Sequence, residues 1–84
     1  MREIITTPRF ERRLVLFVKR HPALRESVRG LMHDIANGSG RIHALHGTMK
    51  GVHAARILQA YRIIFVFDPD VVTFIDIGSH DEVY

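Results

Sequence analysis

The pattern of apolar and polar positions divides this 84-residue chain into a helical first half and a strand-rich second half. Thr7 can cap a helix and Pro8 suits its first position, so the first helix is predicted to start there. His21-Pro22 breaks the helical pattern, and Asn37–Gly40 ends a second helix with residues that tolerate a left-handed backbone. Apolar residues recur at helical spacing in both segments, namely Phe10, Leu14 and Phe17 in the first and Leu24, Val28, Leu31 and Ile35 in the second.

The remaining segments read as strands. Tyr61–Phe67 is apolar on both faces apart from Arg62, which is typical of a central strand. The order is βααββββ, which predicts one α+β domain over residues 1–84. In this fold the N-terminal strand and the helical hairpin pack on one face of a mostly antiparallel sheet of four to five strands. The predicted strands are Ile4–Thr6, Ile42–Leu45, Ala54–Leu58, Tyr61–Asp68 and Val71–Ile77, with turns at Gly47–Gly51 and Asp68-Pro69-Asp70 and an end at Gly78-Ser79.

Composition narrows the possible classes of protein. Hydrophobic residues are 46% and charged residues 25% of the chain, which indicates a globular protein. The absence of cysteine excludes disulfides and thiolate metal sites. Residues 1–20 carry charges throughout and no apolar run approaches a membrane span, so we expect a cytoplasmic protein without membrane contact. The formal charge of +3 comes mostly from Arg, which favours a polyanion partner, although a solvated basic surface would have the same composition.

The second half of the chain carries residues suited to RNA cleavage. In that reaction a 2′-hydroxyl attacks the adjacent phosphate, a base removes its proton, and an acid protonates the leaving 5′-oxygen. His can fill either proton role, and Arg can stabilise the charge on phosphorus without a metal ion. Antiparallel strands could gather such residues on one surface. The candidates are His43, Arg56, Arg62, His80 and Tyr84.

The order and spacing of these motifs resemble those of the RelE/ParE toxin superfamily, with the closest similarity to RelE and YafQ-like mRNA interferases. The motifs are His43-x-Leu45-x-Gly47-x-x-x-Gly51, Arg56-Ile57, Tyr61-Arg62-Ile63-Ile64-Phe65, Gly78-Ser79-His80 and Val83-Tyr84. The resemblance implies a toxin of a type II toxin–antitoxin system that cuts mRNA in the ribosomal A site without a metal. It implies a cognate antitoxin, mRNA and the ribosome as partners, and a toxin–antitoxin hetero-oligomer.

The resemblance also assigns roles to individual residues. Arg62 matches the catalytic Arg that follows an aromatic residue in RelE-type members, and Tyr84 is similar to their C-terminal Tyr. His43 and His80 match catalytic His residues of YafQ-type members. The sequence departs from the YafQ pattern where Arg56 replaces a His on the middle strand, and where Ala60 replaces an Asp.

The resulting interpretation is that Arg56 and Arg62 stabilise the phosphate while His43 and His80 share the acid and base roles. Tyr61 would stack on a base, and secondary RNA contacts would come from His46, Lys50 and His53. We expect no cofactor and no metal. A zinc site at His43, His46 and His53 is disfavoured because strand residues three apart point to opposite faces.

Alternatives remain at two levels. Arg62 could instead form a salt bridge with Asp76 on the next strand. The whole chain could be a ParE-like gyrase inhibitor without chemistry of its own, or an inactive member kept for antitoxin binding, which the replacement at Ala60 leaves open.

Overall fold

The computed structural model describes residues 1–38, 43–44 and 51–83. The order of elements agrees with the predicted order as far as the last strand, and one further helical turn follows it. The elements are β1 (Glu3–Thr6), α1 (Pro8–Arg20), a 3₁₀ turn (Pro22–Leu24), α2 (Arg25–Ala36), β2 (His43–Ala44), β3 (His53–Ile57), β4 (Tyr61–Phe67), β5 (Val71–Ser79) and α3 (His80–Val83).

The strands form one sheet in the order β1-β5-β4-β3-β2, so β4 is central as predicted. The sheet is mixed. The strand β1 pairs with β5 in parallel, whereas each of the pairs β2–β3, β3–β4 and β4–β5 is antiparallel. The register of β1 with β5 runs only from Glu3↔Val71 to Thr6↔Phe74. Within the part of the chain that the structure describes, the second half of β5 therefore has a strand neighbour on one side only, and α1 begins beside its other side.

The helices pack on one face of the sheet and build the core there. Thr7 caps α1 as predicted, since its hydroxyl accepts the N–H of Phe10 at 3.0 Å. Phe10 is fully buried and its ring lies 5.5 Å from that of Phe74 on β5. The predicted apolar face of α2 supplies Val28 and Ile35 to the same cluster. This confirms an α+β fold with the helical hairpin on one face of the sheet.

Two of the differences in strand boundaries lie at the end of β5 and at the turn from β3 to β4. We expected Gly78-Ser79 to end β5, but Gly78 still pairs with Arg62 and Ser79 with Tyr61. We expected β3 to include Leu58, but this residue has φ 54° and opens the turn to β4. The predicted strand Ile42–Leu45 is seen as His43–Ala44, and its remaining residues and most of the Gly47–Gly51 turn lie outside the described residues.

The predicted turn at Asp68-Pro69-Asp70 is present and has a side-chain clasp. One carboxylate oxygen of Asp68 accepts the N–H groups of Asp70 and Val71, each at 2.8 Å. These hydrogen bonds lower the pKa of the Asp68 carboxyl from its ordinary value. No helix in the described part of the chain is long and apolar enough to cross a membrane.

Candidate functional site

The β3–β4 register places Arg56 and Arg62 directly opposite each other. Arg56 lies between the core residues Ala55 and Ile57 on β3. Because side chains alternate along a strand, Arg56 and Arg62 are both directed to the side of the sheet opposite Ala55 and Ile57. On the other side of Arg62 the paired residue is Gly78 on β5. The sheet thus presents two arginines side by side at the end where β3 turns into β4.

Neither arginine has a carboxylate within ion-pair distance among the residues that the structure describes. The Nη1 atom of Arg62 donates to the carbonyls of Gln59 at 3.1 Å and Tyr61 at 2.9 Å, which holds the guanidinium against the turn. The side chain of Arg56 is exposed. Like charges on directly opposed residues destabilise a sheet, so a bound anion would relieve the repulsion between the two guanidiniums.

The alternative of an Arg62–Asp76 salt bridge is wrong. Asp76 pairs across the strands with Ile64, which is two positions from Arg62 along β4. Its carboxylate instead accepts from Arg9 at 3.3 Å and from Arg13 at 3.1 Å, both on α1. The charge of Arg62 is therefore left available at the sheet surface.

His80 enters this region from β5 as the first residue of α3. Its backbone N–H donates to the carbonyl of Ala60 in the β3–β4 turn at 3.1 Å. The imidazole is 57% exposed, and its Nδ1 lies 3.7 Å from a carboxylate oxygen of Asp81. The backbone of His80 is thus held at the same turn that the Arg62 guanidinium contacts, and its imidazole is exposed to solvent.

The one-turn helix that carries His80 was missed in the sequence, although a signal for it is present. Ser79-x-x-Glu82 is a capping box, in which the first and fourth residues satisfy each other's backbone N–H groups. Glu82 Oε1 accepts the N–H of Ser79 at 2.9 Å, and the Ser79 hydroxyl accepts the N–H of Glu82 at 3.3 Å. The hydrogen bonds from Ser79 lower the pKa of the Glu82 carboxyl. The capping box therefore fixes the backbone on both sides of His80.

Tyr61 is partly buried and does not lie exposed beside the two arginines. Its ring packs edge-on against Phe17 at 5.2 Å and lies 4.7 Å from the ring of His21, at the margin of the core. Tyr61 thus contributes to packing between β4 and the end of α1. Stacking of an RNA base on this ring stays a prediction.

His53 lies at the opposite end of β3 from the arginine pair. Its ring packs 5.9 Å from Phe65 and 4.7 Å from Phe67, and its Nδ1 is buried with no hydrogen-bond partner among the residues that the structure describes. Arg2 covers the Phe67 ring at 4.6 Å. This position separates His53 from the residues proposed to act on RNA, and an RNA contact by His53 stays a prediction.

Several proposed site residues lie beyond what the structure describes. His46, Lys50 and Tyr84 fall outside the described residues, and so does the side chain of His43. The backbone of His43 pairs with Ala54, which is two residues before Arg56 on β3. His43 is therefore on the strand next to the one that carries Arg56. Among the described residues, no group of three His, Asp or Glu could hold a metal ion.

Comparisons with known proteins place the fold among bacterial toxins. No family model matches the chain, and no curated protein matches it. Its backbone is similar to YafQ from E. coli, with 20% identity over 100% of this chain and 99% of that one and a TM-score of 0.87. It is similar to YafQ in the E. coli DinJ-YafQ toxin-antitoxin complex, with 21% identity over 99% and 97% and a TM-score of 0.85. It is also similar to a metal-bound toxin from Helicobacter pylori, with 19% identity over 100% of both chains and a TM-score of 0.87.

These similarities establish that the chain has the RelE-like toxin fold, as the order of its motifs implied. At such identities the likeness concerns the backbone.

Proposed function

We propose that this chain is the toxin of a type II toxin–antitoxin system and acts as a metal-independent endoribonuclease on mRNA at the ribosome. The observation that carries the proposal is the Arg56–Arg62 pair at the end where β3 turns into β4, with the backbone of His80 held against that turn. Two guanidiniums without a carboxylate partner among the described residues favour a phosphate, and the exposed imidazole of His80 would supply proton transfer.

The geometry suits attack of a 2′-hydroxyl on its own 3′-phosphate. Arg56 and Arg62 would hold the non-bridging oxygens and stabilise the charge that builds up on phosphorus, an effect worth about 10²–10³-fold per donor in comparable sites. The new bond joins the 2′-oxygen to phosphorus and the bond to the 5′-oxygen breaks, which leaves a 2′,3′-cyclic phosphate. His80 and His43 would divide the two proton transfers, each worth about 10²–10⁴-fold.

The proposed antitoxin partner follows from the fold. A toxin of this fold binds DinJ in the E. coli complex, and we expect this chain to bind a cognate antitoxin that covers the sheet end. An extended or helical antitoxin segment could lie there and shield the arginine pair. Tyr84 would complete the site, as the sequence resemblance implies.

The test is cleavage by variants that remove one group each. His80→Ala and Arg62→Ala should each reduce mRNA cleavage by about 10²-fold or more while the fold persists, because both groups act mainly in the transition state. Arg29→Ala is the matched control, since it removes an arginine from α2 outside the sheet end. The readout is mapping of mRNA 5′ ends after induced expression. Full cleavage by both variants would refute the proposed site.

The ParE-like alternative and a metal-dependent reaction give different results. A ribonuclease toxin stops protein synthesis first after induction, whereas a gyrase inhibitor stops DNA synthesis first, and pulse labelling separates the two. Elemental analysis of the purified chain should show no stoichiometric metal, because His and Arg supply the proton transfer and charge that a metal would give. Early loss of DNA synthesis, or one bound zinc per chain, would overturn the corresponding part of the proposal.

A further inference from the structure

A chain of ionic contacts runs from α1 to the helical turn that carries His80. Arg13 Nε donates to Asp76 at 3.1 Å, and its Nη2 lies 3.6 Å from Glu82 Oε2. The Arg20 Nη1 atom approaches the same Glu82 oxygen at 3.9 Å. Glu82 thus uses one oxygen to cap α3 and the other to face two arginines of α1.

The path of the Arg13 guanidinium depends on the residue beneath it. A Cβ at Gly78 would stand 2.9 Å from Arg13 Nη2 and 3.2 Å from Glu82 Oε1. A Cβ there would force the guanidinium to shift and would crowd Glu82, so the guanidinium in its present position crosses the bare backbone at Gly78. Gly78 is also the cross-strand partner of Arg62, so the contact lies in the row of the proposed site.

Fold stability alone gives a weak reason for this arrangement. Asp76 is only 6% exposed, and Arg13 Nη2 is buried with no hydrogen-bond partner in the described part of the chain. Charges that are taken out of water and left with incomplete hydrogen bonding are often no better for stability than apolar side chains of similar size. The ionic contacts do fix the position of the turn that carries His80 relative to Asp76 on the buried strand β5.

The helical turn α3 is too short to keep this position without further contacts. Four residues form α3, and an isolated turn of helix is unfavourable because nucleation fixes several dihedral angles for one hydrogen bond. Its anchors are the Ser79–Glu82 capping box, the His80–Ala60 backbone hydrogen bond and the Glu82–Arg13 ion pair. Glu82 takes part in two of these three anchors.

We propose that Glu82, held by Arg13, is a positioning residue that fixes His80 relative to the Arg56–Arg62 pair. The inference rests on the proposed ribonuclease function for its kinetic consequence. Its structural consequence, ordering of the backbone at His80, holds whether or not the chain cleaves RNA.

Two substitutions separate the anchors. Glu82→Ala removes both the cap and the ion pair, whereas Glu82→Gln keeps a capping-box residue and removes only the charge. We expect Glu82→Ala to lower kcat about 10–100-fold with KM unchanged, since small misplacements of a reacting group have effects of this size. Glu82→Gln should lower kcat less. Glu26→Ala, which removes a carboxylate from the first turn of α2, should leave kcat unchanged.

A double-mutant cycle identifies the residue through which Glu82 acts. In a His80→Ala background, Glu82→Ala should have no further effect on the residual single-turnover rate, because the group that it positions is gone. An equal loss in both backgrounds would overturn the inference, since Glu82 would then act independently of His80.

Amide hydrogen exchange gives a readout independent of activity. The His80 N–H, which donates to Ala60, should exchange at least about 10-fold faster in Glu82→Ala while amides of β4 keep their protection. Unchanged exchange at His80 would overturn the inference. If Glu82→Ala unfolds the whole chain, Glu82→Gln decides the matter by the same two measurements. A wild-type chain that cleaves no RNA would refute the proposed function, and the exchange measurement would still test the positioning of His80.

Discussion

Replacing Gly78 by Ala should destabilise the protein, whereas the same replacement at Gly30 should stabilise it. The added Cβ at Gly78 meets Arg13 Nη2 at 2.9 Å and Glu82 Cβ at 3.3 Å. At Gly30, inside α2, a Cβ meets nothing within 4 Å. The two substitutions are chemically identical, so any difference between them reports the surroundings of each glycine.

The sizes of both effects follow from general values. Inserting a methyl group into occupied space costs about 1–3 kcal/mol. The Arg13 side chain cannot swing away without loss of its hydrogen bond to Asp76. Removing the backbone freedom of a glycine returns about 0.5–1 kcal/mol in a helix or strand interior. We expect a net loss of about 1–2 kcal/mol for Gly78→Ala and a gain of about 0.5–1 kcal/mol for Gly30→Ala.

Urea denaturation of both variants and the wild type measures the free energies of unfolding. The melting temperatures of the two variants should differ by roughly 10 °C, because a domain of this size shifts by about 4–8 °C per kcal/mol. Adding Arg13→Ala should cost less in the Gly78→Ala background than in the wild type, because the two groups compete for the same space. A stabilised Gly78→Ala variant would refute the described path of Arg13.

Two further predictions concern stability. Leu58→Gly should raise the free energy of unfolding by up to about 1 kcal/mol, because Leu58 is 63% exposed and holds φ 54°, where a side chain is strained. Gln59→Gly is the control and should lower the free energy of unfolding. A larger loss of stability at Leu58 than at Gln59 would contradict this reasoning. Acid should destabilise the fold, because folding lowers the pKa values of Asp68 and Glu82 below their ordinary 3.8 and 4.5. The two carboxylates therefore stabilise the folded state fully at a pH above these ordinary values, and this stabilisation is lost as the pH falls through the lowered pKa values. Thermal melts between pH 6 and pH 2 should show a shallower decline for Asp68→Asn than for the wild type, and parallel declines would exclude this turn as a source.

Much of the fold could be predicted because local signals agree with the final packing. Thr7-Pro8 marks the start of α1, and the apolar run Tyr61–Phe67 marks the central strand. These signals act within a few residues along the chain, so they can be read without knowing the fold. The parallel pairing of β1 with β5 joins residues almost 70 positions apart in sequence, and no local pattern encodes it.

The site was harder to predict than the fold, for different reasons at each residue. Arg62 was identified because a charge in an apolar strand is conspicuous, but its distance from Asp76 depends on the register with β5. The β4–β5 register shifts between Ile64 and Phe65, and no sequence pattern marks such an irregularity. The α3 turn was missed although its Ser79-x-x-Glu82 capping box can be read directly, because four residues leave no periodicity to detect.

The opposed arginines connect stability to function and lead to a last prediction. Directly opposed like charges cost about 0.2–1 kcal/mol in a sheet, and Arg56 is exposed with no carboxylate partner among the described residues. Arg56→Thr should therefore raise the free energy of unfolding by a few tenths of a kcal/mol, with a gain that shrinks as salt screens the repulsion, while mRNA cleavage falls. Arg56→Lys keeps the charge and should show no such gain. Urea denaturation at low and high salt measures the effect. If Arg56→Thr is less stable than the wild type at low salt, the charges of the pair are already neutralised within the free protein, and the pair is not left unneutralised for a phosphate to bind.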